Sequence, residues 1–276
     1  MGHEVIGIDN FFHPSDNPIR EHVLLNDVRL PIDDLVSSVD TVIHLAAQIH
    51  VDYSLERPEE TFDINVNGTL KILEACKRYG KKLIFASTSE VYGSSQAEFM
   101  DSDHPLNPQS PYAVSKLAAD KLCQNYKDMY GMDINIVRNF NTFGPYQNDT
   151  SYGGVIAKFT KAALKNEPIH IYGDGLQSRD YMYIDDALQA YMLALDTKFP
   201  GPVNFGSGKT VSIIDLAHLI KTLAHSQSEI VHVSPRPGEV QRLCADITFA
   251  KSLGFNPTTD FERDLGHYIN WKKEEL

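Results

Sequence analysis

Two stretches of this chain, DTVIHLA (40–46) and KLIFAS (82–87), place apolar residues at adjacent positions, Val42-Ile43, Leu45-Ala46 and Leu83 through Ala86. Strands that are apolar on both faces belong inside a parallel sheet with helices packed on each side. The run between them is helical: it begins near Pro58, continues through TLKILEACKRY and stops at Gly80. A second long helix follows, with Ser110 as N-cap, Pro111 at the first helical position and Gly131 as the stop. Further strands are expected at EVIGI (4–8), HVLLN (22–26) and DINIV (133–137). This alternation predicts an α/β fold built on a parallel sheet.

The texture changes after residue 142. NTFGPYQNDTSYGG reads as loop, GGVIAKFTKAALKN as helix, and IHIYGDGLQSRDY carries an Asp-Gly turn. Helices are expected at 185–197, 212–224 and 260–272, with short strands at 203–205 and 230–233. We therefore expect two parts, 1–142 and a smaller mixed α/β part, 143–276, with no flexible linker between them.

The formal charge of −12 argues against nucleic acid or an anionic membrane as partner. An anionic substrate needs a local cluster of cations instead. Cys76, Cys123 and Cys244 are odd in number and far apart. They suggest buried thiols in a reducing compartment, and with no signal peptide pattern or membrane-length apolar run this predicts a cytoplasmic protein. The 11 His show no metal-ligand spacing, so no metal is implied.

Chemistry first shows in SPYAVSK, where Tyr112 and Lys116 stand four apart on the second helix and share a face. An ammonium about 6 Å from a phenol favours the phenolate by ~3 kcal/mol at an effective dielectric near 20. That takes a tyrosine from ~10 towards ~8, so Lys116 alone leaves the phenol mostly protonated at neutral pH. A second positive charge nearby would complete its activation as a general base for an alcohol. With 13 Tyr and 16 Lys, about one such pair is expected by chance, and Tyr268…Lys272 is a second. Context separates them. KLIFAS runs into STSEVYG, delivering Ser87, Thr88, Ser89 and Glu90 to the carboxyl end of a strand, where open α/β sheets place ligands. HLAAQ ends its strand on small Ala46 and Ala47, and Asp9 ends the first strand where a dinucleotide fold places its ribose-binding acid.

The ordered set IDN, VIHLAAQ, NVNGT, STSEVYG, SPYAVSK, RNFNTFGP, GDGLQSRDYMYIDD and RPGEV resembles the extended short-chain dehydrogenases/reductases, and within them the nucleotide-sugar epimerases and dehydratases. The resemblance implies a Rossmann-like doubly wound sheet that binds NAD, and a second domain that binds a nucleotide-diphosphate sugar. It implies that Asp9 and Asn10 meet the adenosine ribose, that Asp27 and Val28 meet the adenine, and that Leu45, Ala46 and Ala47 line the cofactor, with Asn65 in support. Thr88, Tyr112, Lys116 and Glu90 would be catalytic, Lys116 also reaching the nicotinamide ribose. Ser89, Asn141, Arg179 and Arg236 would hold the substrate. Tyr112 would take the proton of the sugar C4 hydroxyl while the hydride passes to NAD. The 4-keto sugar then has several fates: C4 inversion, 4,6-dehydration with Glu90 as the base, or loss of a C6 carboxylate. YAVSK and RPGEV lean towards the epimerases; Ser89-Glu90 is shared with the dehydratases and decarboxylases. A homodimer through helices 58–79 and 110–131 is also implied.

The resemblance begins at the end of the family's first helix, so its first strand and glycine-rich turn have no counterpart in these 276 residues. Those glycine amides hold a cofactor pyrophosphate, so the isolated chain is expected to retain NAD poorly. The retained Thr88, Tyr112, Lys116 and Glu90 favour the expectation that the natural enzyme is longer and that this chain begins at an internal Met; the alternative is a non-catalytic protein that only binds sugar nucleotides. GSGKT (206–210) lacks the glycine spacing of a phosphate loop, and YMY (181–183) is expected in the core.

Overall fold

A computed structural model describes residues 2–12, 22–150, 153–235 and 239–276. β1 (Gly7–Asp9) and β2 (Val23–Leu25) pair in parallel and form a sheet of their own. β1 starts later than the expected residue 4, because among the described residues its partner β2 offers three residues of ladder; Val5 and Ile6 remain exposed. The apolar runs build the main sheet, all parallel, in the order β3 (Thr41–His44), β4 (Lys82–Thr88), β5 (Ile134–Asn139) and β9 (Val203–Phe205).

Period-two alternation explains why this sheet is covered on both sides. Leu83 and Phe85 point to one face, Ile84 to the other. The first face packs Ile72, Leu73 and Cys76 of α4 (Thr69–Tyr79) and Ala119 and Cys123 of α5 (Pro111–Tyr130). The second packs Ala187, Ala190 and Ala194 of α7 (Ile184–Asp196). Each fully buried Leu or Phe contributes about 1.5–3 kcal/mol. Because β9 and α7 complete this sheet, a cut at residue 142 would sever them from it.

α4 and α5 end as their sequences predict. Gly80 and Gly131 take left-handed φ of 65° each, and the Ser110 hydroxyl accepts the Ala113 N–H at 3.1 Å. The helix expected over 58–79 is not uniform: α3 (Pro58–Phe62) passes into one π turn (Asp63–Gly68) before α4 begins. Such a turn redirects side chains, and this one carries Asn65.

After β5, the chain forms two small sheets. β8 (Ser178–Tyr183) pairs with β6 (Asn141–Phe143) and β10 (Thr210–Ser212), and β7 (Ile169–Tyr172) with β11 (Ile230–Val233). α6 (Val155–Leu164), α8 (Ile213–Leu223) and α10 (Phe261–Glu275) cover them around Phe143, Tyr181 and Tyr268. No helix among the described residues is long and apolar enough to cross a membrane.

Candidate active site

β4 ends in Ala86-Ser87-Thr88, and α5 is tied to each of these residues in turn. Lys116 Nζ donates to the Ala86 carbonyl at 2.6 Å, Ser87 Oγ donates to Asp120 Oδ2 at 2.6 Å, and the Tyr112 phenol faces the Thr88 hydroxyl. Residues 112, 116 and 120 recur every four positions, so one helix face meets one strand end. The Thr88 hydroxyl also accepts the Glu90 N–H at 3.2 Å, capping the single 3₁₀ turn Ser89–Tyr92. That turn closes on Gly93 at φ 66°, where a side chain would strike the Asn107 carbonyl.

The electrostatics differ from the expectation for Tyr112. Burial raises its pKa above the ordinary value; the Thr88 hydroxyl opposes this, and Glu90 and Tyr191 add to it. Lys116 does not pull the phenol down to ~8, because its ammonium is bonded to a carbonyl and lies 4.4 Å from the Phe85 ring centroid. Desolvation lowers Lys116 itself to about 8, against the opposing pull of Cys123 and Asp120. Glu90 is half-buried; desolvation raises its carboxyl, Arg179 lowers it and Glu239 raises it.

Two cavities flank this cluster. One of about 530 Å³ is lined by Asp9, Asn10, Asp27, Val28, Leu45, Ala46 and Ala47. Asp9 Oδ1 accepts the Phe11 N–H at 2.6 Å, and Asn10 donates to Asp27 at 3.0 Å. The Arg29 guanidinium holds the Asp27 carboxyl well below the usual range. The second cavity, about 570 Å³, is lined by Glu90, Asn141 and Arg179 among others. Arg179 donates to Glu239 at 3.1 Å and Asn141 to the Asp180 carbonyl at 3.4 Å.

Thr88, Ser89, Tyr112, Lys116 and Asn65 are not on either cavity wall; all but the half-buried Thr88 are buried, and Tyr112 is 8% exposed. Asn65 is therefore a brace, not a wall residue. Its amide donates to the Gln48 carbonyl and to Ser115, and its oxygen accepts the Gln48 N–H, each at 2.8 Å. This fixes the loop after β3 against α5. Arg236 lies outside the described residues.

Several site residues carry no sequence signal. Ile49, Gln147 and Asn148 line both cavities. Asp120 and Arg138 form a fully buried ion pair at 2.9 Å. Glu239 was visible only as part of RPGEV. Among the decoys, Tyr268 is fully buried while Lys272 pairs with Asp149 at 2.8 Å. The Ser207 and Gly208 amides of GSGKT donate to the internal Asp180 carboxylate. Among the described residues no group of three or more His, Cys, Asp or Glu converges as a metal site.

Comparison with known proteins bears on the same geometry. The sequence profile of the GDP-mannose 4,6 dehydratase family matches residues 27–266. A UDP-N-acetyl-alpha-D-glucosaminuronate decarboxylase of Bacillus cytotoxicus is 36% identical over 99% of this chain and 91% of its own. The UDP-glucose 4-epimerase of Thermotoga maritima, solved with UDP-glucose, superposes with a TM-score of 0.94 at 29% identity, covering 100% of this chain and 92% of that one. The UDP-glucose 4-epimerase of Thermus thermophilus, solved with NAD, gives 0.92 at 30%, covering 100% and 93%. With the Thr88, Tyr112 and Lys116 cluster at the strand end where this fold performs its chemistry, the chain belongs to the extended short-chain dehydrogenases/reductases, in the nucleotide-sugar epimerase/dehydratase family.

Proposed function

We propose that this protein modifies a nucleotide-diphosphate hexose through a transient 4-keto sugar, as a 4-epimerase of the UDP-glucose type. The observation that carries this reading is the Tyr112 phenol set beside the Thr88 hydroxyl and the buried Lys116 at the end of β4, with Glu90 of the following turn on a cavity wall. Relatives solved with NAD and with UDP-glucose support the two ligands.

The residues fit NAD. Asp9, Asn10, Asp27 and Val28 would hold the adenosine end, a carboxylate at Asp9 favouring a free ribose hydroxyl over a 2′-phosphate. The small Ala46 and Ala47 let a flat ring approach the backbone. NAD bound there supplies a reversible hydride acceptor. Tyr112 takes the C4 hydroxyl proton and later returns it, sharing it with Thr88. Its raised pKa means that this needs a positive charge brought close, since Lys116 is engaged elsewhere. Asn141 and Arg179, with Arg236, would hold the diphosphate, Arg179 exchanging its Glu239 partner for phosphate oxygens.

A second reading rests on Glu90. A carboxyl raised by desolvation on a cavity wall suits proton transfer at C5, as dehydration requires, and the decarboxylase relative adds the C6 branch. In this reading 1–142 mainly serves the cofactor and 143–276 the sugar nucleotide. A homodimer through α3, α4 and α5 is supported by exposed Phe62, Tyr79, Val114 and Met129. Three buried free thiols fit the cytoplasm.

The test is incubation with NAD and, separately, UDP-glucose, UDP-glucuronate and dTDP-glucose, with products resolved by anion exchange and NMR. UDP-galactose is the expected product. A pentose or a 4-keto-6-deoxy sugar selects the second reading; no turnover with any of them leaves a binding protein.

A further inference from the structure

Asp120 lies one helical turn beyond Lys116 and is fully buried. Four donors converge on its carboxylate. Arg138 of β5 gives Nε at 2.9 Å and Nη2 at 3.1 Å, Ser87 of β4 gives its hydroxyl at 2.6 Å, and Gln124 gives its amide. Arg138 extends the network: its Nη1 donates to the Tyr92 hydroxyl at 2.8 Å, which donates to Asn204 of β9 at 2.6 Å. One carboxylate thus joins α5 to the carboxyl ends of three neighbouring strands. Ser87 sits between Ala86, which holds Lys116, and Thr88, whose hydroxyl faces Tyr112.

A buried ion pair is a poor source of net stability, because desolvating two charges offsets their attraction. Its retention beside a reacting pair points to another use. We propose that Asp120 is a positioning residue: bonded to Arg138 and Ser87, it locks the end of β4 against α5, so that Thr88, Tyr112 and Lys116 keep one geometry, and it sets a negative charge beside the Lys116 ammonium. This rests on the reading of Tyr112 and Lys116 as the reacting pair.

The groups facing Lys116 are few. α5 contributes Asp120 and the Cys123 thiol, whose pKa burial raises far above the ordinary value so that it stays neutral. β4 contributes the Phe85 ring and the Ala86 carbonyl, and β3 contributes His44, which burial and Lys116 together keep neutral. Asp120 is therefore the anion that favours a protonated Lys116.

The test uses Asp120→Asn/Arg138→Met, which removes both buried charges together, and Ser87→Ala, which leaves both and cuts only the strand bond. Lys116 is followed by NMR in lysine-labelled protein, its resonance assigned by loss in Lys116→Arg, and kcat and KM are measured against pH. In the double variant the Lys116 titration is expected to move to lower pH and the alkaline limb of kcat to follow it. In Ser87→Ala, kcat is expected to fall about 10-fold with KM within about twofold and the Lys116 titration in place, as for a small misplacement of reacting groups. A folded double variant with an unmoved Lys116 titration overturns the proposal. So does Ser87→Ala with wild-type kcat, the arm that decides if the double variant fails to fold. A wild-type protein that turns over no nucleotide sugar overturns the proposed function instead, and the Lys116 titration still decides the role of Asp120.

Discussion

Lys116 donates to the Ala86 carbonyl at 2.6 Å, while the Tyr112 phenol faces the Thr88 hydroxyl two residues further along the strand. The two residues share a helix face but serve different partners on one strand. The lysine therefore braces the site and carries a charge near it without ionising the tyrosine by itself.

Tyr112→Phe removes the phenol and keeps the ring that fills its buried place. Turnover is expected to fall by about 10²–10⁴, the usual worth of a positioned acid–base group, with the thermal melt little changed. Single-turnover kinetics with NAD and the nucleotide sugar measure it; wild-type turnover would remove Tyr112 from the mechanism.

Lys116→Met should stabilise the protein at neutral pH. Burial lowers the folded lysine to about 8, against ~10.4 unfolded. Below pH 8 both states hold the proton, and the native state bears the cost of a buried charge. From pH 8 to ~10.4 the unfolded state holds more protons, so native stability rises with pH by about 3 kcal/mol in total. The advantage of Lys116→Met is thus largest at pH 7 and fades towards pH 10.4. Urea melts at both ends of that range check the sign.

Glu90→Gln separates the two catalytic readings. Desolvation raises the folded carboxyl, so the native state binds a proton more readily than the unfolded one, and stability falls as pH rises through that folded value. The neutral amide should raise the melting temperature at pH 7 by about 2–4 °C per kcal/mol recovered. C4 inversion should survive the change, whereas loss of water or hydrogen–deuterium exchange at C5 should disappear.

Gly93→Ala is expected to cost more than about 3 kcal/mol. A Cβ there would lie 2.1 Å from the Asn107 carbonyl oxygen, at a φ of 66° that favours glycine. Because the clash is with backbone, the turn that carries Glu90 must move. Denaturant melts, or loss of soluble protein, report it.

The elements were legible in the chain because their causes are local. Apolar residues at adjacent positions dictated buried parallel strands, Ser110-Pro111 and Gly131 bounded α5, and i, i+4 spacing placed Tyr112 and Lys116 on one face. Local pattern also brought Ser87, Thr88 and Glu90 to a strand end. What the sequence alone did not reveal depends on contacts between residues far apart in it. Arg138 meets Asp120 across the sheet, β9 joins β5 from the second half, and a single π turn aims Asn65 at Gln48 and Ser115. The acidity of Tyr112 was misjudged for the same reason. Spacing along a helix sets which groups are near, but burial and competing partners decide where a charge is spent, and these exist only once the strand end and the helix are packed together.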